Sequence, residues 1–363
     1  MKILCVVGAR PNFVKIAPIV AELKARGVEQ VLLHTGQHYD DEMSQVFFDD
    51  LGIPRPDVDL GVGSAPHAVQ TGEVMIHFDE HLLSIRPDAV VVVGDVNSTL
   101  ACALAAVKRR VPVVHVEAGL RCGDRYMPEE INRVLTDHIS ELLFTPSSDA
   151  DDNLRREGID PGRIFRVGNI MIDSLLAHRE RALKSDVLER LSLLSEDYAV
   201  VTLHRPENVD GRDRLLHFCA VLTEVAERLP VVFPIHPRTR SEAQRHGLLE
   251  RLENTPGLVV TSPLGYLDFM ALALHSKIVL TDSGGLQEET TVYGIPCLTL
   301  RPSTERPITV TEGTNTIVGD DRAKILAECE RILAGNGKRG RTPELWDGRT
   351  APRIVDVLTK RFG

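Results

Sequence analysis

Short, nearly uninterrupted apolar runs alternate with amphipathic stretches along most of the chain. ILCVVG (3–8) precedes FVKIAPIVAELKAR (13–26), whose apolar positions recur at helical spacing, and VLLHTG (31–36) follows. AVVVVGD (89–95) leads into STLACALAAVKRR (98–110) and VPVVHVEAG (111–119), and INRVLTDHI (131–139) precedes LLFTP (142–146). Apolar runs of this length between helices predict parallel strands covered on both faces.

The alternation pauses over residues 168–196, where IMIDSLLAHRERALKSDVLERL reads as helix and SEDY as a break. It restarts with YAVVTLH (198–204), VVFPIH (231–236), LVVTSP (258–263), KIVLTDS (277–283) and CLTL (297–300). The pattern predicts an α/β chain of two doubly wound, Rossmann-like domains, residues 1–168 and 169–345. A last amphipathic helix, 351–363, is expected to pack back near the first domain. In such folds ligands bind at the carboxyl ends of the strands, and two facing domains place the ligand in the cleft between them.

Composition removes several function classes. A chain of 363 residues exceeds one ordinary core. A net charge of −10 and 4% aromatics argue against nucleic acid or an anionic membrane surface as partner. No run approaches the ~20 apolar residues of a membrane helix. MKILCVVGAR lacks a cleavage site and reads as a first strand rather than a leader. The six cysteines show no CxxC spacing and read as reduced core thiols of a cytoplasmic protein. GARPNFVK stands where a dinucleotide fingerprint would be, and there is no P-loop, which weakens an oxidoreductase reading. No HxH, HExxH or Cys/His cluster supports a metal.

Candidate chemistry sits at the predicted strand ends. In TDSGGLQEET (281–290), Ser283, Gly284 and Gly285 open a helix whose free amides and dipole suit a phosphate. Glu289, further into that helix, suits two ribose hydroxyls, so the combination points to a nucleoside diphosphate. A capped structural helix explains the stretch equally well. Arg10 and Lys15 in GARPNFVK are placed to neutralise a diphosphate. Asp95 and Glu117 close apolar strands, where an unpaired charge is costly. MPEEINR adds Glu129, Glu130 and Arg133, although acids at a helix start also have a purely structural use. His204 ends the first strand of the second domain, and His236, Arg238 and Arg240 follow the next. Several carboxylates and a histidine suit proton transfer at carbon.

GARPNFVKIAP, HTGQHYD, GDVNSTLACALAA, HVEAGLR, MPEEINR, VGNIMID, LHRPEN, HPRTR, PLGYLDF, DSGGLQEE and STERPITVTEGTN occur in order from residue 7 to about residue 319. Together they resemble the non-hydrolysing UDP-N-acetylglucosamine 2-epimerases, whose fold is similar to the GT-B glycosyltransferases. The resemblance implies interconversion of UDP-GlcNAc and UDP-ManNAc, with elimination of UDP, a 2-acetamidoglucal intermediate and re-addition. It implies no cofactor and a homodimer. Asp95, Glu117 and Glu129 match the family's catalytic acids and His204 its catalytic histidine. Arg10, Lys15, His236 and Ser283–Gly285 would hold the diphosphate, Glu289 the ribose, Arg133 the sugar or the acids, and Arg306 would close on the nucleotide side.

YMPEEINR is shorter than its counterpart in well-studied bacterial members. QHYDDEMSQ also departs from their loop, which helps form a regulatory site for a second, allosteric UDP-GlcNAc. Both features are similar to archaeal members and to the 2-epimerases of UDP-2,3-diacetamido-glucuronic acid. That sugar is the alternative substrate, for which Arg125 could supply the extra cation, whereas STERPITVTEGTN favours the plain UDP-GlcNAc enzymes. A GT-B glycosyltransferase would leave the three acids unexplained, and a nucleotide-sugar sensor would leave them and His204 without a use.

Overall fold

The structure is a computed structural model that describes residues 1–36, 52, 55–193 and 197–363, with Arg10 described by its backbone alone. The QHYDDEMSQ loop therefore lies outside the described residues. The chain divides into two compact units, Met1–Ala177 with Glu344–Gly363, and His178–Pro343. Each is built on one wholly parallel sheet.

In the first unit the strands are β1 (Lys2–Val7), β2 (Glu29–His34), β3 (Val58–Asp59), β4 (Ala89–Val93), β5 (Val113–Val116), β6 (Leu142–Thr145) and β7 (Ile164–Arg166). Their order is β3-β2-β1-β4-β5-β6-β7. All five residues of β4 are buried, because helices cover both faces of a parallel sheet and leave no polar side. The helix Asn97–Lys108 packs closely because small residues, among them Ala101, Cys102, Ala103, Ala105 and Ala106, face inward. The helix His67–Ile85 buries Gln70, Val74, Phe78 and Leu82, one stripe at four-residue spacing.

The C-terminal segment belongs to this unit. The helix Thr350–Phe362 buries Ala351, Ile354, Val355 and Leu358 and packs on the helix Arg10–Ala25. Its first amides, on Thr350 and Ala351, donate to the two carboxylate oxygens of Asp173 at 3.0 and 2.8 Å. A side chain from a distant helix thus serves as its cap. Upstream of it, Trp346 Nε1 donates to the Pro146 carbonyl at 2.9 Å.

In the second unit the strands are β8 (Ala199–Thr202), β9 (Val231–Pro234), β10 (Leu258–Thr261), β11 (Ile278–Thr281), β12 (Cys297–Thr299) and β13 (Asn315–Ile317). Their order is β10-β9-β8-β11-β12-β13. One face of this sheet is sealed by Phe218, Leu222 and Val225 of the helix Arg212–Ala226. The six cysteines are all unpaired, five of them buried. In both sheets the strand order reverses between neighbours that are distant in sequence, β1 with β4 and β8 with β11. These are the topological switch points, where the chains leaving adjacent strands diverge and open a crevice.

Candidate active site

The first unit gathers its candidates at the β1/β4 switch point. After β1, Asn12 Oδ1 accepts from the Gly8 and Ala9 amides at 3.1 and 3.0 Å. Asn12 Nδ2 donates to the Val93 carbonyl at 3.0 Å, tying this turn to the end of β4. One turn into the helix, Lys15 forms a buried ion pair with Glu117 from the end of β5. Their side chains are 8% and 4% exposed. Gly94 makes room for the pair, since a Cβ there would lie 2.9 Å from Lys15 Nζ and 3.4 Å from Glu117 Oε2. Sequence reading gave Lys15 to a diphosphate; the structure sets it against Glu117.

Glu117 has φ +71°, in the left-handed region that a non-glycine residue occupies at a cost of about 1–2 kcal/mol. The Glu117 and Ala118 amides both donate to the Phe144 carbonyl, at 3.1 and 3.0 Å, and fix the bend. A strained carboxylate at a strand end is a mark of a functional position.

Asp95, one residue past Gly94, receives Arg133 Nη1 at 2.5 Å. Arg133 is 2% exposed and also holds Glu130 Oε2 through Nε at 3.1 Å and Nη2 at 2.8 Å. Asn132 Nδ2 donates to the Asp95 carbonyl at 2.9 Å. Burial would raise the Glu130 carboxyl, but Arg133 and the Gly123 and Cys122 amides outweigh it and hold it below the usual range. The two glutamates of MPEEINR therefore differ: Glu130 is consumed in bracing Arg133, whereas Glu129 is half-buried and meets no polar partner among the described residues. Beneath them, His115 Nε2 reaches the Gly94 carbonyl at 2.8 Å and Nδ1 the Asp137 carboxylate at 2.6 Å, both side chains fully buried. This contact fastens the turn that carries Asp95. Arg125 is exposed.

The second unit gathers its candidates at the β8/β11 switch point. The register pairs Thr202 with Thr281, so the residues that follow leave the sheet side by side. Asp282, fully buried, accepts from the His204 amide at 2.9 Å, the Arg205 amide at 2.9 Å and Asn208 Nδ2 at 3.1 Å. Its Oδ1 lies 2.8 Å from His204 Nδ1. Burial would raise the Asp282 carboxyl, but His204 and the two amides hold it below the usual range. The His204 and His236 rings lie 5.5 Å apart between centroids. His236 is exposed, and its Nδ1 accepts from the Arg238 amide at 3.2 Å.

The helix Gly284–Tyr293 begins directly after this turn, with Ser283 as its N-cap residue. A Cβ at Gly284 would come within 2.4 Å of Arg306 Nη1 and 2.6 Å of Glu305 Oε1, so a larger residue would displace these side-chain ends. Arg306 is 6% exposed, with Nε 2.8 Å from Glu288 and Nη1 2.6 Å from Glu305. Expected to close on a nucleotide, it sits here inside a buried ion-pair network that also takes in Arg301. Glu289 is buried on the same helix, and burial, with the neighbouring Glu288 charge, pushes its carboxyl up to about 8. Among the described residues nothing hydrogen-bonds to its carboxyl, although the Tyr266 and Tyr293 phenols feel its charge.

Sequence reading missed Asp282, Asn208 and the His115–Asp137 pair. A signal for Asp282 existed: it closes the buried run KIVLT as Asp95 closes AVVVVG. Among the described residues no His/Cys/Asp/Glu group has the arrangement of a metal site, and no helix is long and apolar enough to cross a membrane.

Comparison with known proteins bears on the chain as a whole. A family model described as UDP-N-acetylglucosamine 2-epimerase matches residues 21–359. The UDP-N-acetylglucosamine 2-epimerase of Methanocaldococcus jannaschii is 42% identical over 364 residues, covering 99% of each chain. The crystal structure of the M. jannaschii UDP-GlcNAc 2-epimerase in complex with UDP-GlcNAc and UDP superposes with a TM-score of 0.93, covering 99% of this chain and 100% of that one. The UDP-2,3-diacetamido-2,3-dideoxy-D-glucuronate 2-epimerase of Pseudomonas aeruginosa is 41% identical over 365 residues, covering 99% of this chain and 100% of its own. Likeness of this extent, over a chain whose switch points carry the acids and the histidine, places the protein in the UDP-N-acetylglucosamine 2-epimerase family.

Proposed function

We propose that the protein interconverts UDP-GlcNAc and UDP-ManNAc by removing UDP across C1–C2 and adding it back with the C2 proton on the other face. The observation that carries this reading is the full-length likeness to relatives named for that activity. The C2 hydrogen is too weakly acidic for simple deprotonation, so its loss accompanies cleavage of the C1–oxygen bond and gives 2-acetamidoglucal. Asp95, Glu117 and Glu129 supply the carboxylates and His204 a further proton carrier. The helix start at Ser283–Gly285, with Arg10, Lys15 and His236, takes the diphosphate, and Glu289 takes the ribose hydroxyls. Purified protein incubated with UDP-GlcNAc should yield UDP-ManNAc on chromatographic separation; an unchanged substrate would refute the assignment.

The Pseudomonas relative keeps a second substrate in view, the diacetamido-uronic sugar, with Arg125 facing its carboxylate. Competing the two UDP-sugars decides between them, since the true substrate has the higher kcat/KM.

The finer features follow the same reading: a cytoplasmic enzyme supplying ManNAc units for polysaccharide, and dimeric. The dimer is supported by Val69, Ile76 and Leu83, exposed at seven-residue spacing on the helix His67–Ile85, and by Ile131 and Leu135, exposed on Pro128–Ile139. Both helices pack against Asn97–Lys108. Sedimentation should give twice the chain mass, and Ile76→Glu should return it to one.

A further inference from the structure

Asp282 is absent from the proposed chemistry, yet it is a buried carboxylate with several partners. It is fully buried, and its oxygens meet the His204 amide, the Arg205 amide, Asn208 Nδ2 and His204 Nδ1, all within 3.2 Å. Asn208 is itself fixed, since its Nδ2 also reaches the Leu300 carbonyl at 3.0 Å. The carboxylate is thus built into the crossing of two strand ends 78 residues apart. A side chain this constrained can hold only one arrangement of the ring beside it.

We propose that Asp282 is a positioning residue for the epimerase reaction, holding His204 as the Nδ1–H tautomer so that Nε2 alone carries the transferable proton. An ionised carboxylate is acceptor-only, so the ring nitrogen 2.8 Å from it must donate. Nε2 then keeps its lone pair, on a side chain that is 35% exposed. When Nε2 takes a proton the ring becomes imidazolium, and the adjacent buried negative charge stabilises it. When it gives the proton back, the original tautomer returns. Asp282 neither gains nor loses a proton in either direction. The two histidine-bearing strand ends are therefore not equivalent: His236 uses its Nδ1 as an acceptor for the Arg238 amide and is exposed.

The inference rests on the epimerase reading, which assigns His204 to the reaction, and the test separates the two. In 15N-histidine-labelled protein at mildly alkaline pH, with the His204 resonance assigned through His204→Asn, long-range proton–nitrogen spectra should show hydrogen on Nδ1 and a bare Nε2. Asp282→Asn keeps the shape but can donate, so the tautomer should shift toward Nε2–H. Turnover should then fall roughly 10²–10⁴-fold while UDP affinity stays close to wild type. A wild-type ring protonated at Nε2, or Asp282→Asn with wild-type turnover, overturns the proposal. If Asp282→Asn fails to fold, the wild-type tautomer alone decides, because it requires no variant of Asp282. His204→Asn with undiminished turnover removes the epimerase role of His204 and the proposal with it. A dead His204→Asn beside an Nε2–H wild type removes only the orienting role of Asp282.

Discussion

Lys15 and Glu117, 102 residues apart in sequence, meet as a buried ion pair in the space that Gly94 leaves open. The pair joins the helix after β1 to the end of β5 and stands beside Asp95 at the switch point. Removing one partner of a buried pair strands the other charge, at a cost of about 3–5 kcal/mol. Lys15→Ala should therefore lower the unfolding free energy by about that amount, and Lys15→Ala with Glu117→Ala should cost less than the sum of the two single changes. A denaturant-unfolding double-mutant cycle measures the coupling, and strict additivity would show that the pair contributes nothing.

Glu117→Gln leaves the strained turn and the packing intact but removes the carboxylate. Turnover should fall on the order of 10²–10⁴-fold. UDP affinity, read by calorimetry, should stay near wild type, because Glu117 itself is not among the proposed nucleotide contacts. Unchanged turnover would take Glu117 out of the chemistry.

Glu289 makes stability depend on pH. Its carboxyl is pushed up to about 8 by burial and by Glu288, from an ordinary 4.5. Below the ordinary value it is protonated folded and unfolded alike, and its contribution to stability is fully present. As pH rises toward about 8, unfolding releases the proton and that contribution is lost, by up to about 1.4 kcal/mol per pH unit. Glu289→Gln should flatten this part of the stability profile. Glu289→Ala should weaken UDP binding, and full affinity in that variant would remove the ribose assignment.

Asp173 accepts the first two amides of the C-terminal helix, which no intrahelical carbonyl can satisfy. Asp173→Ala should cost about 0.5–2 kcal/mol, by analogy with the loss of an N-cap. The change would be read as a lower Tm with kcat unchanged, since both Asp173 oxygens serve the C-terminal helix.

The central strands of both sheets are legible in the sequence because burial on two faces leaves them apolar, AVVVV in β4 and IVL ahead of Thr281 in β11. The edge strands β3 and β7 are not, because two or three partly exposed residues carry no period. The division between the units falls inside the continuous helix Ile170–Ala182, where no change of composition marks it. At the site, the strand-end acids and His204 can be found one at a time, since a charge closing a buried run needs a reason. Their partnerships cannot. The register of β8 on β11 sets Asp282 under His204, and only the fold shows which glutamate of MPEEINR turns inward to Arg133.

Elimination and re-addition of UDP exchange the hydrogen on C2 with solvent, which ties substrate and mechanism to one observable. Proton NMR of the purified protein with UDP-GlcNAc in deuterated water should show UDP-ManNAc appearing with deuterium at C2, and deuterium entering C2 of the remaining UDP-GlcNAc. UDP binding without any exchange at C2 would contradict the account.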